Sequence, residues 1–141
     1  DPAYEEELAI IRNFRDNVSH KKEILPVASI KDVQQWHIEA GQVSVHEDIE
    51  TYILSLVRAT REHPSIELGL SSRAALALVH AAQGKAFIEG RNFVTPDDVK
   101  FILEPVAIHR LMLTAEGMLV QQPAAILHEI VNSVSSPVEA F

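Results

Sequence analysis

The stretch Leu68–Asn92, LGLSSRAALALVHAAQGKAFIEGRN, constrains the fold more than any other part of the chain. From Ala74 to Ala82 every residue but His80 is apolar, and Ala and Leu dominate. That composition favours helix. Apolar character on all sides, rather than on one stripe, predicts a helix with neighbours around it. Gly69 supplies a turn before it, and Ser71 or Ser72 can cap its start by accepting a backbone N–H bond. Gly90 stands where a helix C-terminus favours positive φ. The expected fold is all-α, a helical bundle around a buried central helix.

Arg73 is out of place in this helix. It stands in the first turn, where the helix dipole disfavours a cation by roughly 0.3–1 kcal/mol. Free N–H groups and a guanidinium at one helix start would suit a phosphate. An exposed arginine with no specific contact is the other reading, and local physics alone favours it.

The flanking segments read as further helices. Asp1 as cap, Pro2 at the first helical position and Glu5, Glu6 and Glu7 in the first turn open a helix over Pro2–Arg15. Its stripe is Tyr4, Leu8, Ile11 and Phe14. Asp16–Leu25 is polar and aperiodic, and its His20-Lys21-Lys22 cluster reads as loop solvation. Ser29 with Asp32 caps a second helix that carries Ile30, Val33 and Trp36 on one face and ends at Gly41. The single tryptophan is expected to anchor the core. A capping box from Ser44 to Glu47 opens a third helix, whose Ile49, Tyr52, Ile53, Leu56 and Val57 form the clearest amphipathic stripe. Arg58 and Arg61 lie near its C-terminal end, where cations are favoured, and Pro64 ends it.

Beyond Gly90, Thr95-Pro96-Asp97-Asp98 is a strong helix start. Val99, Ile102, Leu103 and Val106 are its stripe, and Pro105 should kink or split it. Leu111–Val120 allows a small β-hairpin. A last helix is expected to begin near Pro123, with Leu127, Ile130, Val131 and Val134 on one side, and to stop at Ser135-Ser136-Pro137.

Composition excludes several function classes. A chain of 141 residues suits one domain with a real core. It has no cysteine, so neither disulfides nor thiolate metal sites are available. No apolar run is long enough to span a membrane, and nothing resembles a signal peptide, so a cytoplasmic protein with no membrane partner is expected. The net charge of −8 argues against nucleic-acid binding by bulk electrostatics. The chain opens Asp-Pro rather than with Met, and reads as a piece of something longer. Catalytic motifs are missing. Gly84-Lys85-Ala86 lacks the preceding glycine and following hydroxyl of a phosphate loop. His37-Ile38-Glu39 matches half of a zinc-deaminase signature whose other half needs cysteine. Seven histidines are scattered, so no metal site is expected.

Four runs in series carry a family resemblance: Tyr52–Arg61 (YILSLVRATR), Leu68–Ala74 (LGLSSRA), Gly90–Lys100 (GRNFVTPDDVK) and His109-Arg110-Leu111. In their order and approximate spacing they resemble the C-terminal lid of MoxR-type AAA+ ATPases. Leu25-Pro26-Val27, Val43-Ser44-Val45 and the acidic start at Glu5–Glu7 add to the likeness, which runs from about residue 3 to residue 136. The usual family run is Gly-Ala-Ser-Pro-Arg; here Leu70 replaces the alanine and Ser72 the proline, and the arginine is kept.

The resemblance implies that residues 1–141 are a lid whose nucleotide-binding core lies elsewhere in the whole protein. Arg73 then occupies the sensor-2 position, reaching the γ-phosphate of ATP bound with magnesium between core and lid, and Ser71 and Ser72 shape the helix start. Arg61 and Arg110 also stand at family motif positions, with structural or intersubunit ion-pair roles. No catalysis is expected from this chain alone, because the phosphate loop, magnesium ligands and water-orienting acid of phosphoryl transfer are missing from it. The implied partners are the protein's own AAA+ core, further copies in a ring, and a client protein handled in a chaperone-like role. A rival reading is a free-standing acidic interaction module, since a long central helix followed by a Thr-Pro-Asp-Asp helix start also resembles the histone fold.

Overall fold

The computed structural model describes residues 4–17 and 24–138. Among them are seven α-helices: α1 Tyr4–Asn17, α2 Ile30–Gly41, α3 Glu47–Glu62, α4 Ser72–Ile88, α5 Pro96–Ala107, α6 Ala115–Val120 and α7 Pro123–Ser133. A 3₁₀ turn covers Ile108–Arg110, and two short strands, β1 Ile66–Leu68 and β2 Met112–Leu113, pair antiparallel. The all-α class therefore holds. Two compact units divide the chain, Asp1–Asp32 and Val33–Phe141.

In the first unit, α1 leaves Tyr4, Ile11 and Phe14 of its stripe exposed. It runs to Asn17, two residues past the expected end. Its expected caps, Asp1 and Pro2, lie outside the described residues, as does the cluster His20-Lys21-Lys22. The Ser29–Asp32 box is present: Ser29 N donates to the Asp32 carboxylate at 2.7 Å, and Asp32 N donates to Ser29 Oγ at 3.2 Å.

The second unit holds the core. Ile49, Tyr52, Ile53, Leu56 and Val57 of α3 are all buried, as their spacing predicts. They meet Val99, Ile102 and Leu103 of α5 and Ile126, Leu127 and Ile130 of α7 in one cluster with α4. That cluster closes without α2, which buries none of its residues. Trp36 is therefore not a core anchor; it is 47% exposed. The α3 cap also differs from expectation. His46, not Ser44, is the N-cap, and its Nδ1 accepts from Asp48 N at 3.2 Å. Ser44 is used otherwise: its N donates to Asn92 O (2.8 Å) and its O accepts from Val94 N (3.0 Å). This ties the α2–α3 connection to the α4–α5 connection. Gln83 of α4 reinforces the tie by donating from Nε2 to Val43 O at 2.8 Å.

Burial on α4 follows a stripe after all. Ala74, Leu78, Ala82 and Ala86, four residues apart, are at most 1% exposed, whereas Leu76 is 63% exposed. Three alanines among those four leave room for a neighbouring backbone, and α5 is the helix that packs most extensively here. The C-terminus of α4 closes as a Schellman motif. Gly90, at φ 74°, donates to Phe87 O at 2.9 Å, and Arg91 N donates to Ala86 O at 2.9 Å. Arg91 then turns both terminal nitrogens onto Asp98, at 2.7 and 2.6 Å. Asp98 also completes the α5 capping box with Thr95. Burial works to raise the Asp98 carboxyl, but the bonds from Arg91 and Thr95 outweigh it and hold the group below the usual carboxylate range.

Three further details complete the architecture. α5 continues through Pro105 to Ala107 and then tightens into the 3₁₀ turn, so the proline acts as a late terminator instead of splitting the helix. The strand expected within 111–120 exists at Met112–Leu113, but its partner is Ile66–Leu68 and Ala115–Val120 is helical. Gly69, between β1 and α4, lies flush on the end of α3: a Cβ there would stand 2.7 Å from Arg61 N.

Two outcomes are expected from this packing. Asp98→Ala removes half of the capping box and the buried partner of Arg91, and should cost about 3 kcal/mol in urea denaturation. Because the folded pKa is lowered, the Asp98 contribution is complete above the unfolded value of about 3.9 and disappears as pH falls through the folded value. The gap between wild type and variant should therefore narrow in acid. Gly69→Ala should destabilise by about 2 kcal/mol, since the methyl can be accommodated only by moving backbone; a shift in the denaturation midpoint reads this out.

Candidate functional site at the start of α4

The three residues expected to form the site all sit at one helix end. Ser71 is the N-cap of α4, and its Oγ accepts from Ala74 N at 3.3 Å. Ser72 and Arg73 are the first two helical residues. A helix start has donors without intrahelical partners, and the backbone N–H groups of Ser72 and Arg73 have no acceptor among the described residues. The Arg73 side chain is exposed and makes no ion pair or hydrogen bond to another described residue. A free cation and two free donors thus occupy the same end of the helix, and an anion is the chemistry they fit.

What holds this end in place comes from α3. The Leu70 peptide is gripped on both sides. Its N–H donates to Thr60 Oγ1 at 2.9 Å, and its carbonyl accepts from Arg61 Nε at 2.7 Å. Thr60 in turn donates to Val57 O at 2.6 Å and is fully buried. Arg61 therefore has a structural role. Arg110, in the 3₁₀ turn, is exposed and has no hydrogen bond or ion pair to another described residue. Thr60 and Gln83 were not singled out from sequence. Both are polar residues continuing an otherwise apolar face (Thr60 four residues after Leu56, Gln83 four residues after Val79), and that placement is the signal that could have found them.

The remaining motifs do not assemble into chemistry. Gly84-Lys85 lies inside α4, where Lys85 pairs with Glu89 of the next turn. His37 and Glu39 lie on α2. His63 reaches Glu129 of α7 at 3.6 Å. Among the described residues no group of three or more His, Asp and Glu could hold one metal ion. No described helix is long and apolar enough to cross a membrane. A groove of about 530 Å³ runs beside α5 and α7, lined by Lys100, Glu104, Leu127 and His128 among others, with no residue from the start of α4.

Comparison with known proteins identifies the family. The AAA lid domain family matches residues 58–130, from the end of α3 through most of α7. YeaC of Bacillus subtilis, an uncharacterized protein, is 36% identical over 140 residues, covering 98% of this chain and 43% of that protein. Chaperone MoxR1 of Mycobacterium tuberculosis is 28% identical over 146 residues, covering 96% of this chain and 38% of that protein. A solved structure of a candidate ATPase from Cytophaga hutchinsonii superposes with a TM-score of 0.79 at 28% identity, covering 98% of this chain and 44% of that one. The chain thus spans about two fifths of the length of the curated relatives it matches. With the Thr60–Arg61 grip on Leu70 and the start of α4 both inside the matched span, the chain belongs to the AAA lid domain family and is a C-terminal lid of the MoxR-type AAA+ ATPases.

Proposed function

We propose that this chain works as the lid domain of a longer ATPase, with Arg73 as its sensor-2 arginine. The observation that carries the reading is the start of α4, where the Arg73 side chain and two backbone N–H groups have no partner among the described residues. Those groups fit the phosphate oxygens of ATP, which in the whole protein would supply the reacting γ-phosphoryl group, with its magnesium ion held outside these residues. Arg73 binds and orients that charge. Ser71 keeps the helix start formed, and Ser72 contributes a backbone donor. On this reading the packed core of residues 43–134 moves as one body, and a change at Arg73 becomes movement of the lid against its own AAA+ core.

Residues 1–141 perform no hydrolysis by themselves on this reading. The phosphate loop, magnesium ligands and water-orienting acid belong to sequence outside these residues, in keeping with relatives more than twice as long. A homo-oligomeric ring, a cytoplasmic location and a chaperone-like action on a client protein complete the proposal. The last draws support from the relative called chaperone MoxR1.

The test is magnesium-dependent ATP hydrolysis by the full-length protein. Arg73→Ala should lower kcat about tenfold or more, with no loss of thermal stability, because the side chain has no partner among the described residues of the lid. Arg73→Glu should lower hydrolysis at least as far while slightly raising lid stability, since an acid suits a helix start. Wild-type turnover in both variants would overturn the assignment.

A further inference from the structure

We propose that Arg61 is a positioning residue for Arg73, acting through its Nε–H bond to Leu70 O. The inference rests on the sensor-2 reading above and adds to it a residue that never meets the nucleotide. Leu70 directly precedes the cap Ser71, so the position of its peptide fixes where α4 begins and where Arg73 leaves the backbone. Thr60 holds the N–H side of Leu70 from a buried hydroxyl, and Arg61 holds the region of its carbonyl. Gly69 brings the chain flush against the Arg61 backbone, leaving no slack on the third side. A loop of this kind would otherwise be a weak support for a charged group that must meet a phosphate oxygen closely, and displacement by about 1 Å can cost up to a hundredfold in rate.

The bond is made by Nε, so charge and donor can be separated. The amide nitrogen of glutamine and the terminal methyl of methionine lie as many bonds from the backbone as Arg Nε does. Arg61→Gln keeps a donor at that place and loses the charge. Arg61→Met keeps the length and loses both. The experiment compares these variants, Arg73→Ala and the double variant Arg61→Met/Arg73→Ala in the full-length protein. It measures hydrogen exchange across residues 68–76 and ATP turnover.

Arg61→Met should speed exchange in 68–76 several-fold and lower kcat about tenfold with a smaller change in KM. Arg61→Gln should recover most of both. The double variant should be no slower than Arg73→Ala alone, because the effect of Arg61 passes through Arg73. Unchanged exchange in Arg61→Met overturns the proposal. So does equal damage from Gln and Met, which would assign the function to the Arg61 charge, or an additive double variant. If Arg73→Ala itself hydrolyses ATP normally, the sensor-2 reading fails, and the exchange data still decide whether Arg61 sets the start of α4.

Discussion

One buried carboxylate joins the two helices on which the rest of the core is laid. Asp98 caps α5 from within, through Thr95, and receives both terminal nitrogens of Arg91, which leaves α4 through the Gly90 turn. An ion pair taken out of water gains little unless its remaining bonding capacity is satisfied. Here it is satisfied: Arg91 also donates to Phe93 O and to Glu89, and Asp98 also accepts from Thr95 N. The angle between the end of α4 and the start of α5 is thereby fixed. The alanine stripe of α4 then joins Val99, Ile102 and Leu103 of α5 in one buried cluster. The Ser44 bridge to the same turn attaches the entry to α3, so one polar cluster orders three helices.

The two ends of α4 are treated differently. At the C-terminus the carbonyls of Lys85, Ala86 and Phe87 accept from the backbone N–H groups of Glu89, Arg91 and Gly90. At the N-terminus, the polar groups of the preceding loop are satisfied by Thr60 and Arg61, but the first two helical donors and the Arg73 side chain are not. The support is closed and the tip is open. A helix end that served packing alone would be capped and neutralised as α5 is. Leaving Arg73 open while gripping the residue three positions earlier is the arrangement expected of a group that must be rigidly placed yet available to a ligand.

Periodicity made most of this legible beforehand. The α3 stripe, the Thr95–Asp98 box, the Gly90 turn and the Ser71 cap depend on residue type and local spacing, and each stands where those predict. The failures share a cause: each depended on what lies across space. Trp36 has the chemistry of an anchor, but α3, α4, α5 and α7 close the core without it. Ser44 has the chemistry of a cap, but its backbone is committed to Asn92 and Val94, and His46 takes the position. The partner of β2 lies more than forty residues earlier, at a distance no local pattern records. At the site, Arg73 was recognisable as an anomaly and acquired a role only through family likeness. The Thr60–Arg61 grip was hidden because Arg61 at the end of a helix already has a sufficient electrostatic excuse.

The helix starts of the same molecule make that anomaly informative. α1, α3 and α5 each place two or more acids in the first turn, as the dipole favours. α4 places none there and carries Arg73 instead. The chain has twenty acidic residues against twelve basic ones, so an acid was the abundant choice. Stability therefore does not account for a cation at this one position, and packing does not either, since the side chain is exposed and unpaired. On the proposed sensor-2 reading, an anion brought to Arg73 from outside the lid would offset the dipole penalty that the free chain carries, and would link binding to lid geometry through a single helix end.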